Sequence, residues 1–183
     1  VSMSKALSSS RRWLAFGKAE EPPPRLDQVM LSSVVSDVVD AEQLAVGEHP
    51  LEVTEEVPPN MVVRADPEQL YRVVGNLVRN ARQAIIATGQ PGRISISASE
   101  TEADWEIRVA DTGPGLPPKA VEYLFQPFQG GTRKGGTGLG LAISAELIRG
   151  HGGRLELMDT GSEGTCFVIV LPKLVAALEV AAK

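Results

Sequence analysis

Two asparagines, an aspartate and a run of glycines stand where their types and spacing could do chemistry. Asn76 and Asn80 sit at i, i+4 in "GNLVRNARQAI", and Gln83 follows on the same helix edge. Asparagine is a mediocre helix former, so two in mid-helix need a reason. A solvated flank would be one. A pair of neutral oxygen ligands on a rigid element is another, because Mg2+ takes hard oxygen, few protein ligands and substrate phosphates. Asp111 ends the alternating run "DWEIRVAD", and Gly113 and Gly115 follow at once. These are turn residues. They are also a carboxylate able to accept from an exocyclic amine, beside glycines that let a flat ring approach the backbone. Such a carboxylate separates adenine's N6 amine from guanine's O6 acceptor.

The third group is "GGTGLGL", with Gly136, Thr137, Gly138, Leu139, Gly140 and Leu141. Glycine weakens a helix it sits in. At a helix start it lets phosphates reach free N–H groups, where the dipole also favours anions. The preceding "LFQPFQGGTRKGG" joins apolar anchors (Leu124, Phe125, Phe128) to the cations Arg133 and Lys134. That is the composition of a lid whose cations meet phosphate and are ordered by it. Two other phosphate loops are excluded. Gly17-Lys18 is followed by Ala19, so no Walker A loop is present. A dinucleotide fingerprint must follow a strand directly, and these glycines follow a long irregular stretch.

The elements that must position these groups are legible. "DPEQLYRVVGNLVRNARQAIIATG" predicts a helix capped by Asp66, with Pro67 in its first turn, Gln69 completing a capping box and Gly89 closing it. Leu70, Val73, Val74, Leu77, Ala81, Ala84 and Ile85 form its buried stripe. "LSSVVSDVVDAEQLA" predicts another helix, with Val34, Val35, Val38 and Leu44 facing inward. "LEVTEEV" and "MVVRA" read as strands either side of Pro58-Pro59, and "GRISISASE" with "DWEIRVAD" as an antiparallel pair. A further helix is expected over about 138–149, and "GRLELMD" with "TCFVIVLP" reads as a hairpin through "TGSEG". The order gives an α+β two-layer sandwich, a mixed sheet with helices on one face.

Around this unit, residues 1–17 read as the end of a helix, 18–25 as a proline-rich linker, 26–173 as the main domain and 174–183 as a tail. The net charge of −5 argues against a nucleic-acid partner. The lone Cys166 in "CFVIVL" reads as a buried inert thiol and fits a reducing compartment. No apolar run approaches a bilayer span and no signal peptide is visible, which points to a cytoplasmic chain that could still be part of a membrane protein. His49 and His151 read as surface or structural residues.

Taken in order, Asn76/Asn80, Asp111-Thr-Gly-Pro-Gly115, Phe125 to Phe128, Gly136-Thr-Gly-Leu-Gly-Leu141 and Gly164-Thr165 resemble the N, G1, F, G2 and G3 boxes of sensor histidine kinases. The resemblance is to their ATP-binding domain, with its Bergerat-type fold, and covers about residues 26–172. It implies that Asn80 coordinates Mg2+, that Asp111 reads adenine and that Thr165 supports Asp111. It implies that Gly113, Gly115, Gly138 and Gly140 line the nucleotide. Gln83 stands where some kinases carry a phosphate-contacting lysine, and Arg133 or Lys134 would supply that charge. Asn76 stands where the ATP-hydrolysing members place a glutamate base, which points to phosphoryl transfer. The implied partners are a histidine-bearing dimerisation domain, a response regulator and a second copy in a homodimer. The opening "SSSRRWLAFGKAEEPPPRL" resembles the end of that dimerisation domain and its linker. Another superfamily enzyme (a serine kinase or an ATPase), or a degenerate module that only docks a regulator, remain as alternatives.

Overall fold

The computed structural model describes residues 21–127 and 138–173. The helix end expected over 1–17, the tail 174–183 and Phe128, Arg133, Lys134, Gly136 and Thr137 lie outside the described residues. The first element among the described residues is β1 (Asp27–Met30), which runs straight into α1 (Leu31–Val46). Then come β2 (Leu51–Glu56), β3 (Val62–Ala65), α2 (Pro67–Thr88), β4 (Gly92–Glu100) and β5 (Asp104–Asp111). A short α3 (Pro118–Glu122), α4 (Gly140–Gly150), β6 (Arg154–Gly161) and β7 (Gly164–Pro172) complete it.

The main sheet has the order β2-β4-β5-β7-β6, parallel at β2–β4 and antiparallel elsewhere. This is the expected α+β architecture. Side chains alternate across a strand, so Ile94, Ile96, Ile107, Val109, Phe167, Ile169 and Leu171 share one buried face. The apolar stripes of α1, α2 and α4 pack there in a single core cluster. β1 and β3 form a separate antiparallel pair, with Asp27 opposite Ala65. β1 was not legible, because four residues with one buried side chain leave no pattern to read.

α2 explains itself locally. The Asp66 carboxylate accepts from Glu68 N and Gln69 N, at 3.1 and 3.0 Å. Pro67 occupies the first turn, where its missing N–H costs nothing, and Gly89 closes the helix in the left-handed region at φ 68°. All seven residues of the expected stripe are buried. The capping box does not form. Gln69 Nε2 donates to Pro22 O instead, and the Asp66 N–H donates to His151 Nε2. A second correction concerns α1. Leu44 is 87% exposed, and the stripe is Leu31, Val34, Val35, Val38, Val39 and Glu42. At 3.6 residues per turn, a position six after Val38 lands a third of a turn off the buried face. Glu42 is buried because it pairs with Arg82 at 2.8 Å and Arg79 at 3.5 Å on α2, and a buried carboxylate needs such partners.

Candidate functional site

Those expected site residues that are described sit on three walls. α2 supplies Asn76 and Asn80, both half-buried, and the exposed Gln83. The helix is rigid because its opposite face is core. Asn76 Nδ2 donates to Ser144 Oγ on α4 at 3.0 Å. A β-carbon at Gly140 would lie 2.5 Å from Asn76 Oδ1, so with Asn76 placed as it is, glycine lets the start of α4 come this close to the asparagine edge. α4 begins at Gly140, two residues later than expected, after Gly138 at φ 67°. Its N-cap, Leu139, makes no side-chain capping bond. The first N–H groups of α4 therefore have no capping side chain at Leu139 to compete with an anion that approached them. Leu141 packs partly buried against the core.

The second wall is the end of β5. Asp111 lies opposite Thr165 of β7, and its Oδ1 accepts from Gly113 N at 2.7 Å. Gly113 is buried; a β-carbon on it would meet Asp111 Oδ1 at 2.8 Å and Ala84 of α2 at 3.5 Å. The loop after Asp111 is thus pressed against α2 one turn beyond Asn80. Gly115, at φ 78°, meets the β6–β7 turn, where a β-carbon would come within 2.2 Å of Gly161 O. The third wall is that turn itself. Thr165 is 7% exposed; its hydroxyl lies 3.1 Å from that of Thr160, which accepts from Leu116 N at 2.8 Å.

Asn76 and Gly140 are brought together, and so are Asp111, Gly113 and Thr165. The asparagine end and the aspartate end are spaced along α2. Sequence reasoning missed Ser144, Thr160, Gly161 and the steric role of Gly164, whose β-carbon would overlap Asp111 O at 1.7 Å. The position of Gly164 in a hairpin turn and in the Gly164-Thr165 pair hinted at it. Cys166 is half-buried instead of buried, and burial pushes its thiol above the usual range, in keeping with inertness.

Residues 65–175 match the family model described as histidine kinase-, DNA gyrase B-, and HSP90-like ATPase. The chain belongs to this ATPase family. It is 39% identical over 110 residues to the sensor histidine kinase ZraS of Escherichia coli K12, covering 60% of this chain and 23% of ZraS. It is 31% identical over 159 residues to the sensor-like histidine kinase SenX3 of Mycobacterium tuberculosis, covering 84% of this chain and 38% of SenX3. The chain therefore spans well under half of these relatives. Among solved structures, the catalytic domain of histidine kinase ThkA superposes with a TM-score of 0.71 at 28% identity, covering 81% of this chain and 96% of that one. Full-length ShkA in complex with AMPPNP gives 0.74 at 25% identity, over 94% of this chain and 37% of that one. This is a kinase-type ATP-binding domain of the sensor histidine kinase class. Among the described residues, no helix is long and apolar enough to cross a membrane.

Proposed function

We propose that the chain binds Mg-ATP along α2 and transfers the γ-phosphate to a histidine on a dimerisation domain, in a sensor kinase that signals to a response regulator. The observation that supports this best is the contact of Asn76 with Gly140 and Ser144. It sets a neutral amide beside an uncapped helix start, where the terminal phosphates belong. An amide takes no proton, so this site has no base there to activate water. That favours transfer to another nucleophile over hydrolysis.

At the other end, Asp111 accepts from the adenine amine, and the buried Gly113 gives the ring room. Thr165, Thr160 and Leu116 hold that end in place. Gln83, Gly138, Leu139, Gly140 and Leu141 line the phosphate side. From the sequence, Gly136, Thr137, Arg133 and Lys134 join them. Asn80, half-buried on a rigid helix, fits Mg2+ as a single neutral oxygen ligand. Among the described residues no cluster of acids, histidines or cysteines could hold a metal unaided, which suits an ion that comes bound to substrate phosphates. Mg2+ would neutralise charge on those phosphates. The division into a helix end (1–17), linker (18–25), catalytic domain (26–173) and tail (174–183) belongs to the same reading, as does a homodimeric whole protein working at the cytoplasmic side.

The decisive experiment is calorimetry with ATP, GTP and Mg2+, followed by a transfer assay with a supplied dimerisation domain. Binding of ATP over GTP and label on the supplied histidine support the reading. Binding with steady release of inorganic phosphate and no transfer would move the chain to the hydrolysing members of its family.

A further inference from the structure

His151 has no part in nucleotide binding as described, yet its side chain is 2% exposed. Both ring nitrogens are engaged. Nδ1 lies 2.8 Å from Leu147 O, and Nε2 lies 3.0 Å from Asp66 N. A carbonyl only accepts and a backbone N–H only donates. The ring is therefore neutral, with its hydrogen on Nδ1. In a capping box the Asp66 N–H would be taken by the side chain of Gln69. Here His151 takes it, and so joins the last turn of α4 to the N-cap of α2.

The opposite end of α4 is joined to α2 as well, by Asn76 with Ser144 and Gly140. Asp66 and Asn76 are separated by about 15 Å of helix. α4 therefore lies antiparallel to α2 and is tied at both ends. One tie lies at the proposed phosphate end and the other a helix length away. Leu147 and Ile148 also hold α4 in the core, so without the second tie α4 keeps its packing but can tilt on it about Asn76. Its leading N–H groups would then no longer converge on one point, and small misplacements of binding groups are costly.

We propose that His151 is a positioning residue for the phosphate end of the nucleotide site, acting through the Asp66 N–H and the axis of α4. This rests on the ATP-binding reading above. The joint is also where the linker is fastened. Arg25 N donates to the Asp66 carboxylate at 2.9 Å, and the Glu21 carboxylate pairs with Arg72 at 3.0 Å.

Two substitutions separate the two ring bonds. His151→Gln can place its amide oxygen near the former Nε2 and keep an acceptor for Asp66. His151→Asn can keep the donor toward Leu147 but does not reach Asp66. His151→Ala keeps neither. Each full chain would be titrated with Mg2+ and a non-hydrolysable ATP analogue. Hydrogen exchange would be followed in the first turn of α4 and in β4, β5 and β7. Asn and Ala should bind the analogue about fivefold or more weakly, with Gln within about twofold of the unaltered chain. First-turn amides of α4 should exchange faster in Asn and Ala while the three strands keep their protection. A merely structural histidine would lower protection throughout and leave the affinity of the folded fraction alone. Equal affinity in folded His151→Ala overturns the positioning role. Should Ala not fold, Gln binding no better than Asn overturns it. If the unaltered chain binds no analogue at all, the functional reading itself falls.

Discussion

At the residue scale, the proposed site rests on a few groups whose removal has distinct signatures. Asp111 supplies an acceptor at a fixed strand end, opposite the buried Thr165. Asp111→Ala leaves the adenine amine unpaired, at a cost of about 1–3 kcal/mol. ATP affinity should fall accordingly and the preference over GTP should shrink; calorimetry giving equal ATP affinity removes Asp111 from the adenine pocket. Asn80→Ala should weaken ATP binding in Mg2+ more than in EDTA, because only the metal-linked share is lost. Equal losses in both buffers would mean that Asn80 acts without the ion. Gly140→Ala tests the close approach of α4. The added carbon would lie 2.5 Å from Asn76 Oδ1, so either the Asn76 amide or α4 must shift, and nucleotide affinity should drop even though alanine is the better helix former. A gain in stability with affinity intact would contradict the contact. Asp111 and the asparagine pair were legible because their chemistry is local. The reason for Gly140 was not, since it depends on a side chain in another helix.

At the element scale, the α2 N-terminus shows how local and distant partners divide one cap. Burial raises the Asp66 carboxyl, but backbone N–H groups of Arg25, Gln69 and Glu68 outweigh it and hold the group below the usual carboxylate range. A depressed folded value stabilises the protein above the unfolded pKa, about 3.9, and that stabilisation is lost as pH falls through the folded value. Asp66→Asn still caps but does not titrate. The stability gap between the unaltered chain and Asp66→Asn should therefore narrow below about pH 4. Urea unfolding at neutral and acid pH measures it; a gap independent of pH would show that the carboxylate charge contributes nothing. The sequence showed Asp66 as a cap and Gly89 as a stop because capping is written within a few residues. It did not show that His151, 85 positions away, takes the N–H assigned to Gln69. Nor did it show that Glu42 and not Leu44 faces inward, because paired arginines on another helix make that burial tolerable. β1 was missed because a four-residue strand has too few positions to display a period.

At the scale of the whole molecule, the question is where a phosphoryl group could go. Transfer needs an acceptor held in line with the γ-phosphate, and positioning supplies most of the catalysis. The chain has two histidines. His151 is buried with both nitrogens engaged, so neither can attack. His49 is half-buried, and its Nε2 lies 3.0 Å from Gln90 O, just past the C-terminal end of α2. The proposed phosphate end lies at Asn76, about 20 Å back along that helix. Between them lies the Asp111 end, so on the proposed reading His49 stands on the adenine side of the nucleotide. Neither histidine can meet the γ-phosphate within one copy of this fold. The chain should stay unlabelled with radioactive ATP alone, yet pass label to a separately supplied dimerisation domain that carries its histidine and docks. The measurement is acid-labile, base-stable label on each species, resolved by size. Label of that kind on this chain alone would show that one histidine reaches the site by a route this fold does not offer, and His49→Ala and His151→Gln would identify which.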